Sequence, residues 1–159
     1  MENFVLSALV ENKFGVLARV SGLFSARGFN IKSLAVGETE DPDVSRMTIV
    51  AEADEKILEQ IKKQLNKLVN VIKVQDLTGA DCVDKELILI KVKAGTATSR
   101  EKIMKVVDSM GAEIVDIGKE TITIEETGDE HKINALIELV RSYGILEIAR
   151  TGKIALKSE

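Results

Sequence analysis

Cysteine, proline and tryptophan are nearly missing from this chain, with one Cys, one Pro and no Trp in 159 residues. A lone Cys82 excludes an intrachain disulfide and fits a reducing cytoplasm, where it reads as a small filler residue. Aromatic residues make up only 3%, too few rings to stack on nucleic-acid bases or to line a sugar cleft. Positive charge is also in deficit, at a net −4 with no basic stripe, so no nucleic-acid partner is expected. No apolar run reaches the ~18 residues of a membrane-spanning helix. The opening Met1-Glu2-Asn3-Phe4-Val5 has no basic region and runs straight into a strand pattern, so no secretory leader is expected. Neither G-x-x-x-x-G-K-[ST] nor G-x-G-x-x-G occurs, which leaves nucleotide binding unsupported. The single histidine, His131, has no companion metal ligands, and the acidic loop Glu38–Asp43 around Pro42 reads as a solvated turn. No metal site is expected.

Hydrophobic content of 45% is instead distributed in short periods. Phe4, Leu6, Ala8 and Val10 alternate as a strand over Phe4–Val10. Val16, Leu17, Val20, Leu23 and Phe24 then form a helical stripe over Val16–Arg27 that Gly28 ends. Ile31–Gly37 and Arg46–Glu52 read as strands. Asp54 caps a helix carrying Ile57, Leu58, Ile61, Leu65 and Leu68, and Val71–Leu77 closes the set as a fourth strand. The order β-α-β-β-α-β then repeats. Glu86–Lys93 is a strand, Thr98-Ser99-Arg100-Glu101 fits a capping box, and Ile103, Val106, Val107 and Met110 form a stripe ended by Gly111. Ala112–Ile117 and Thr121–Glu125 pair, Asp129 caps a helix, and Ile145–Arg150 follows Gly144, with a short last strand over Lys153–Leu156.

Two amphipathic helices per copy cover only one face of a four-stranded sheet. The expected fold is therefore α+β, two tandem ferredoxin-like βαββαβ sandwiches, with domains at 1–78 and 84–159. The second strand of such a sheet lies at an edge, and Ile31–Val36 carries little to stop another chain pairing with it, so a homodimer is expected. Val5 and Leu9, on the opposite face of the first strand, imply that the helix-free side is also partly buried.

The most informative stretch is the junction Glu11-Asn12-Lys13-Phe14-Gly15-Val16-Leu17. A glycine where strand turns into helix lets the backbone approach a ligand. The first free N–H groups of the helix point outward there, at the positive end of its dipole. With no nucleophile or acid–base pair beside it, the turn suits a small carboxylate better than a reaction. The N–H groups of Gly15, Val16 and Leu17 are the expected carboxylate site, and the Asn12 side chain is an acceptor for an ammonium. Asn30 and Ile31, at the start of the edge strand, would meet this turn across a dimer. An Asn-x-x-Gly turn is also a common structural device, since Asn caps helices and tolerates turns. The second copy has Lys93-Ala94-Gly95-Thr96 at the matching junction, and is expected to bind no ligand.

The stretches Glu11-Asn12, Gly15-Val16-Leu17-Ala18-Arg19-Val20, Gly22-Leu23-Phe24-Ser25, Arg27-Gly28-Phe29-Asn30-Ile31 and Ser45-Arg46-Met47-Thr48 resemble the regulatory subunits of acetolactate synthase. Asp54-Glu55-Lys56 and Lys67-Leu68-Val69 extend the likeness, and Glu147-Ile148-Ala149-Arg150-Thr151-Gly152 carries it into the second half. Phe14 stands where that family often has a small residue or proline. The resemblance implies an N-terminal ACT domain and a non-catalytic, cytoplasmic chain without a cofactor of its own. It also implies a large catalytic partner holding thiamine diphosphate, Mg and FAD, activated by this chain and made sensitive to feedback inhibition by valine in branched-chain amino acid biosynthesis. Two other readings stand beside it: a free-standing ACT-type sensor of another biosynthetic enzyme, and an acylphosphatase-like hydrolase. The hydrolase would need an arginine in a phosphate-cradling loop.

Overall fold

Strict alternation in the first strand sets the layout of everything that packs on it. The computed structural model describes residues 2–159; Met1, at the head of the expected first domain, lies outside them. Strand β1 (Glu2–Glu11) turns into helix α1 (Val16–Ser25), followed by β2 (Ile31–Glu38), β3 (Val44–Ala53), α2 (Glu55–Lys67) and β4 (Val71–Asp76). The antiparallel sheet runs β2-β3-β1-β4, which leaves β2 at an edge. Phe4, Leu6, Ala8 and Val10 of β1 and Met47, Ile49 and Ala51 of β3 share one buried face. Val16, Val20 and Phe24 of α1 and Leu58, Ile61 and Leu65 of α2 complete that core. Each large apolar side chain so buried contributes roughly 1.5–3 kcal/mol.

Helix α1 ends at Ser25, short of the expected Arg27, because Gly28 closes it. Gly28 adopts φ 70°, and the bonds Phe29 N–H to Phe24 C=O at 3.1 Å and Gly28 N–H to Ser25 C=O at 3.0 Å satisfy its last carbonyls. Asp54 caps α2 by accepting the Ile57 N–H at 2.9 Å. Asp76 joins the end of β4 to α2. Its carboxylate accepts the Thr78 N–H at 3.0 Å and the Lys62 ammonium at 3.1 Å. Partial burial would raise the Asp76 pKa, but the Thr78 bonds and the Lys62 charge outweigh it and hold the group below its ordinary value.

The plan repeats in β5 (Cys82–Lys93), α3 (Ala97–Met110), β6 (Glu113–Ile117), β7 (Thr121–Gly128), α4 (Glu130–Arg141) and β8 (Ile145–Arg150), with a last strand β9 (Ile154–Lys157). The second sheet has the order β6-β7-β5-β8, so the chain holds two ferredoxin-like sandwiches. The second core gathers Ile88, Ile90, Val92, Ile103, Val107, Ile122, Ile124, Ile133, Leu136 and Val140. The capping box of α3 sits earlier in the chain than expected. Thr96, not Thr98, accepts the Ser99 N–H at 3.1 Å, and Ser99 Oγ accepts the Thr96 N–H at 3.2 Å. Strand β7 runs on to Gly128 because Glu126 and Gly128 keep the inward alternation. Buried Glu126 is paired with Lys132 at 2.8 Å.

One compact unit holds the described residues up to Asp84 together with Lys153–Glu159; the other is Lys85–Gly152. The last stretch of the expected second domain, 84–159, thus groups with the first unit. The cause is local pairing. β9 pairs with β5, which starts at Cys82 and not at the expected Glu86, and the Ser158 N–H donates to the Asp81 carbonyl at 2.9 Å. The helix-free face of the first sheet is correspondingly closed at its centre. Ser7, Thr48 and Val50 are buried there, Val5 and Leu9 are half-buried, and Ile154 and Leu156 share a groove with Arg46 and Thr48.

Two outcomes follow from this packing. Phe24→Ala, emptying a fully buried position, should lower unfolding free energy by about 3–5 kcal/mol in urea titrations. Because the folded pKa of Asp76 is depressed, the unfolded chain binds more protons as pH falls below the ordinary carboxylate value of 3.8. The stability that Asp76 adds is present above that value and is lost on acidification. Asp76→Asn should therefore flatten the acid-side fall in the urea midpoint between neutral pH and about pH 3.

Candidate functional site

The turn between β1 and α1 is made by one residue in a left-handed conformation. Gly15, at φ 80° and ψ −5°, is the N-cap of α1 and makes no side-chain cap; the first turn of α1 also has no acidic residue. The helices α2, α3 and α4 are each capped by a side chain, from Asp54, Thr96 and Asp129. The amides at the head of α1 therefore have no side-chain cap to receive them, and the helix dipole lies behind them. Of the three expected donors, Val16 is a correction, since its N–H already reaches the Lys13 carbonyl at 3.3 Å. That bond is long, and it forms because Gly15 folds the turn back on itself. The N–H groups of Gly15 and Leu17 have no acceptor among the described residues.

Asn12 braces the turn from the strand side. Its Nδ2 donates to Glu38 Oε1 at 3.0 Å and to the Pro42 carbonyl at 2.9 Å, and its backbone N–H donates to the Asp43 carbonyl at 2.7 Å. Both partners of Nδ2 are acceptors, so the amide orientation is fixed and Oδ1 is the atom left to receive a donor. The structural and the ligand-binding readings of Asn12 thus fall on different atoms of one side chain. The loop of Glu38–Asp43 is the anchor for this contact.

A second brace escaped sequence reasoning. The Glu11 carboxylate accepts from Asn70 Nδ2 at 2.6 Å and from Lys13 at 3.1 Å, and Asn70 Oδ1 accepts from Arg19 at 2.7 Å. The Asn70 bond first, then Lys13, holds the Glu11 pKa below its ordinary value. Asn70 stands 59 residues from Glu11 along the chain, so no local spacing could announce it. The backbone joins the same network, since the Glu11 N–H donates to the Asn70 carbonyl at 2.8 Å.

Asn30 and Ile31 lie at the far end of α1, about 15 Å from Gly15 by helical rise. One chain does not bring them to the Asn12 turn. Asn30 is exposed and borders a cavity of about 480 Å³ with Phe29, Lys32, Glu52, Asp54 and Ile57. Phe14 projects fully into solvent beside the turn, and Leu17 is half-exposed. Among the described residues around Gly15 there is no nucleophile beside a base. Arg19 is held by Asn70 and Arg27 donates to the Leu23 carbonyl, so neither forms the phosphate cradle of an acylphosphatase. At the matching junction of the second unit, Arg100 spans to the carbonyls of Ala94, Gly118 and Lys119. That helix start is closed by its own capping box.

The sandwich and its glycine turn define an ACT-type regulatory module. Residues 6–73 match the family model described as AHAS small subunit-like ACT domain, and residues 85–159 match that of the small subunit of acetolactate synthase. A probable acetolactate synthase small subunit of Methanothermobacter thermautotrophicus is 50% identical over 155 residues, covering 98% of this chain and 92% of that one. One from Archaeoglobus fulgidus is 54% identical over 151 residues, covering 95% and 94%. The crystal structure of the acetolactate synthase small subunit from Thermotoga maritima superposes with a TM-score of 0.88 at 40% identity, covering 100% of this chain and 99% of that one. The chain belongs to the family of acetolactate synthase small, regulatory subunits.

Removing the Asn12 brace should loosen the β2–β3 loop while leaving the core intact. In Asn12→Ala, amide exchange should accelerate at Asp43 and its neighbours in the 38–44 loop, with little change at Leu6 or Ile49, as read by hydrogen-exchange mass spectrometry.

Proposed function

We propose that this chain binds valine at the head of α1 and confers valine feedback inhibition on a catalytic acetolactate synthase subunit that it also activates. The observation that carries this reading is the pair of unpartnered N–H groups at Gly15 and Leu17, on a helix that no side chain caps. A valine carboxylate would take those donors. The ammonium would meet Asn12 Oδ1, and the isopropyl group the exposed flank of Leu17.

Homodimerisation through the β2 edge would bring Asn30 and Ile31 of the second protomer onto this turn and close the site. A ligand held between two protomers stabilises one fit of the pair over another, which is the differential contact that allostery requires. A coupling of about 1–3 kcal/mol gives several-fold to hundredfold control. The second unit, whose matching helix start is self-capped, binds no ligand in this scheme and serves dimerisation or signal transmission. Thiamine diphosphate, Mg and FAD belong to the catalytic partner, and the holoenzyme works in the cytoplasm.

Calorimetric titration of the chain with valine, leucine and isoleucine should give heat with at least one of them, and silence with all three would end the reading. Mixed with a catalytic subunit, the chain should raise pyruvate condensation and make it valine-sensitive. Gly15→Asp places a carboxylate at the carboxylate site and a side chain on a positive-φ residue, so inhibition should vanish while activation persists. Inhibition unchanged in that variant would place the pocket elsewhere.

A further inference from the structure

Strand β2 is irregular where the proposed ligand residues begin. Ile31 pairs with Ala51 and Ser33 with Val50, so Lys32 is an extra residue bulged out of the ladder. A bulge re-aims the residues beside it, and here those are Asn30 and Ile31. Two clips hold it. On one side Lys32 reaches Glu52 at 2.9 Å and Asn3 Oδ1 at 2.8 Å. On the other, Ser33 Oγ accepts the backbone N–H of Lys153 at 2.9 Å, a contact made across 120 residues of sequence.

The donor of that second clip is itself fixed in place. The Lys153 ammonium pairs with Asp84 at 2.9 Å, Ala155 is buried, and the Ser158 N–H is bonded to the Asp81 carbonyl. The segment 153–159 is therefore a strap that borders the groove of Arg46 and Thr48 on the helix-free face of the first sheet, with its leading amide on the bulge.

We infer that Ser33 and the strap of residues 153–159 are positioning elements of the amino-acid site, setting the aim of Asn30 and Ile31 through the β2 bulge. This rests on the valine reading given above. Without the hydroxyl the bulge keeps only its Lys32 clip, and Asn30–Ile31 sample orientations that do not meet the ligand. By reciprocity, a bound amino acid tightens the strap.

The test uses the full-length chain and three variants: Ser33→Ala, Ser33→Thr and a stop after Gly152. Calorimetry with valine should show affinity reduced about fivefold in Ser33→Ala, on the scale of one lost hydrogen bond. Ser33→Thr, which keeps the hydroxyl, should restore it, and Ser33→Ala should melt within a few degrees of wild type. In the wild-type chain, valine should slow exchange of the Lys153 amide, and the truncated chain should bind no better than Ser33→Ala. If wild type binds valine and Ser33→Ala binds equally well, the strap has no part in positioning, and the valine reading survives. If wild type binds none of the three branched-chain amino acids, the valine reading falls and this inference with it.

Discussion

Much of what the first unit offers a ligand is governed by a single backbone conformation, the left-handed turn at Gly15. An L side chain there would cost about 1–2 kcal/mol, although open space surrounds the position. The cost is therefore one of torsion and not of crowding. The turn starts α1 without a side-chain cap, and the donors it leaves are the ones a small anion can use. Two long-range braces then keep the turn in place, Asn12 to the 38–43 loop and Glu11 through Asn70 to Arg19. A site made of main-chain donors needs such bracing, because no side-chain rotamer can correct a misplaced amide.

The duplicated plan makes the contrast between the two units informative. Both place a helix after the first strand over a comparable core, yet α3 closes its own head with Thr96 and Ser99, and Arg100 ties the adjoining loop carbonyls together. The same fold thus carries one open and one closed helix start. Residue choice at the junction decides which, and the rest of the sandwich is indifferent to it.

Elements with strong periodicity were legible in the sequence. The β1 alternation, the stripes of α2 and α3, and the caps at Asp54 and Asp129 depend on neighbours within one or two turns. What escaped depended on partners far away. The early start of β5 at Cys82 needs β9, and the brace of Glu11 needs Asn70. The Thr96 cap was missed for a different reason: Thr96 and Thr98 both offer a hydroxyl near a helix start, and the return bond from Ser99 selects the first. In the candidate site the glycine turn was legible because only glycine relaxes at that φ. The use of the Lys13 carbonyl by the Val16 amide was not, since it depends on how tightly the turn closes.

The strap also bears on when the first unit becomes whole. The groove beside Arg46 and Thr48 is completed by residues that follow the second unit in the chain, so it stays open until residues 153–159 have been made and have left the ribosome. During synthesis the second unit has all of its own segments before the first does. A product that stopped short of Lys153 would keep β5 to β8 but lack β9, and the groove beside Arg46 and Thr48 would lose Ile154 and Leu156. In such a fragment the Ser33 hydroxyl has no Lys153 amide to accept, so the β2 bulge is finished only by residues made after the second unit.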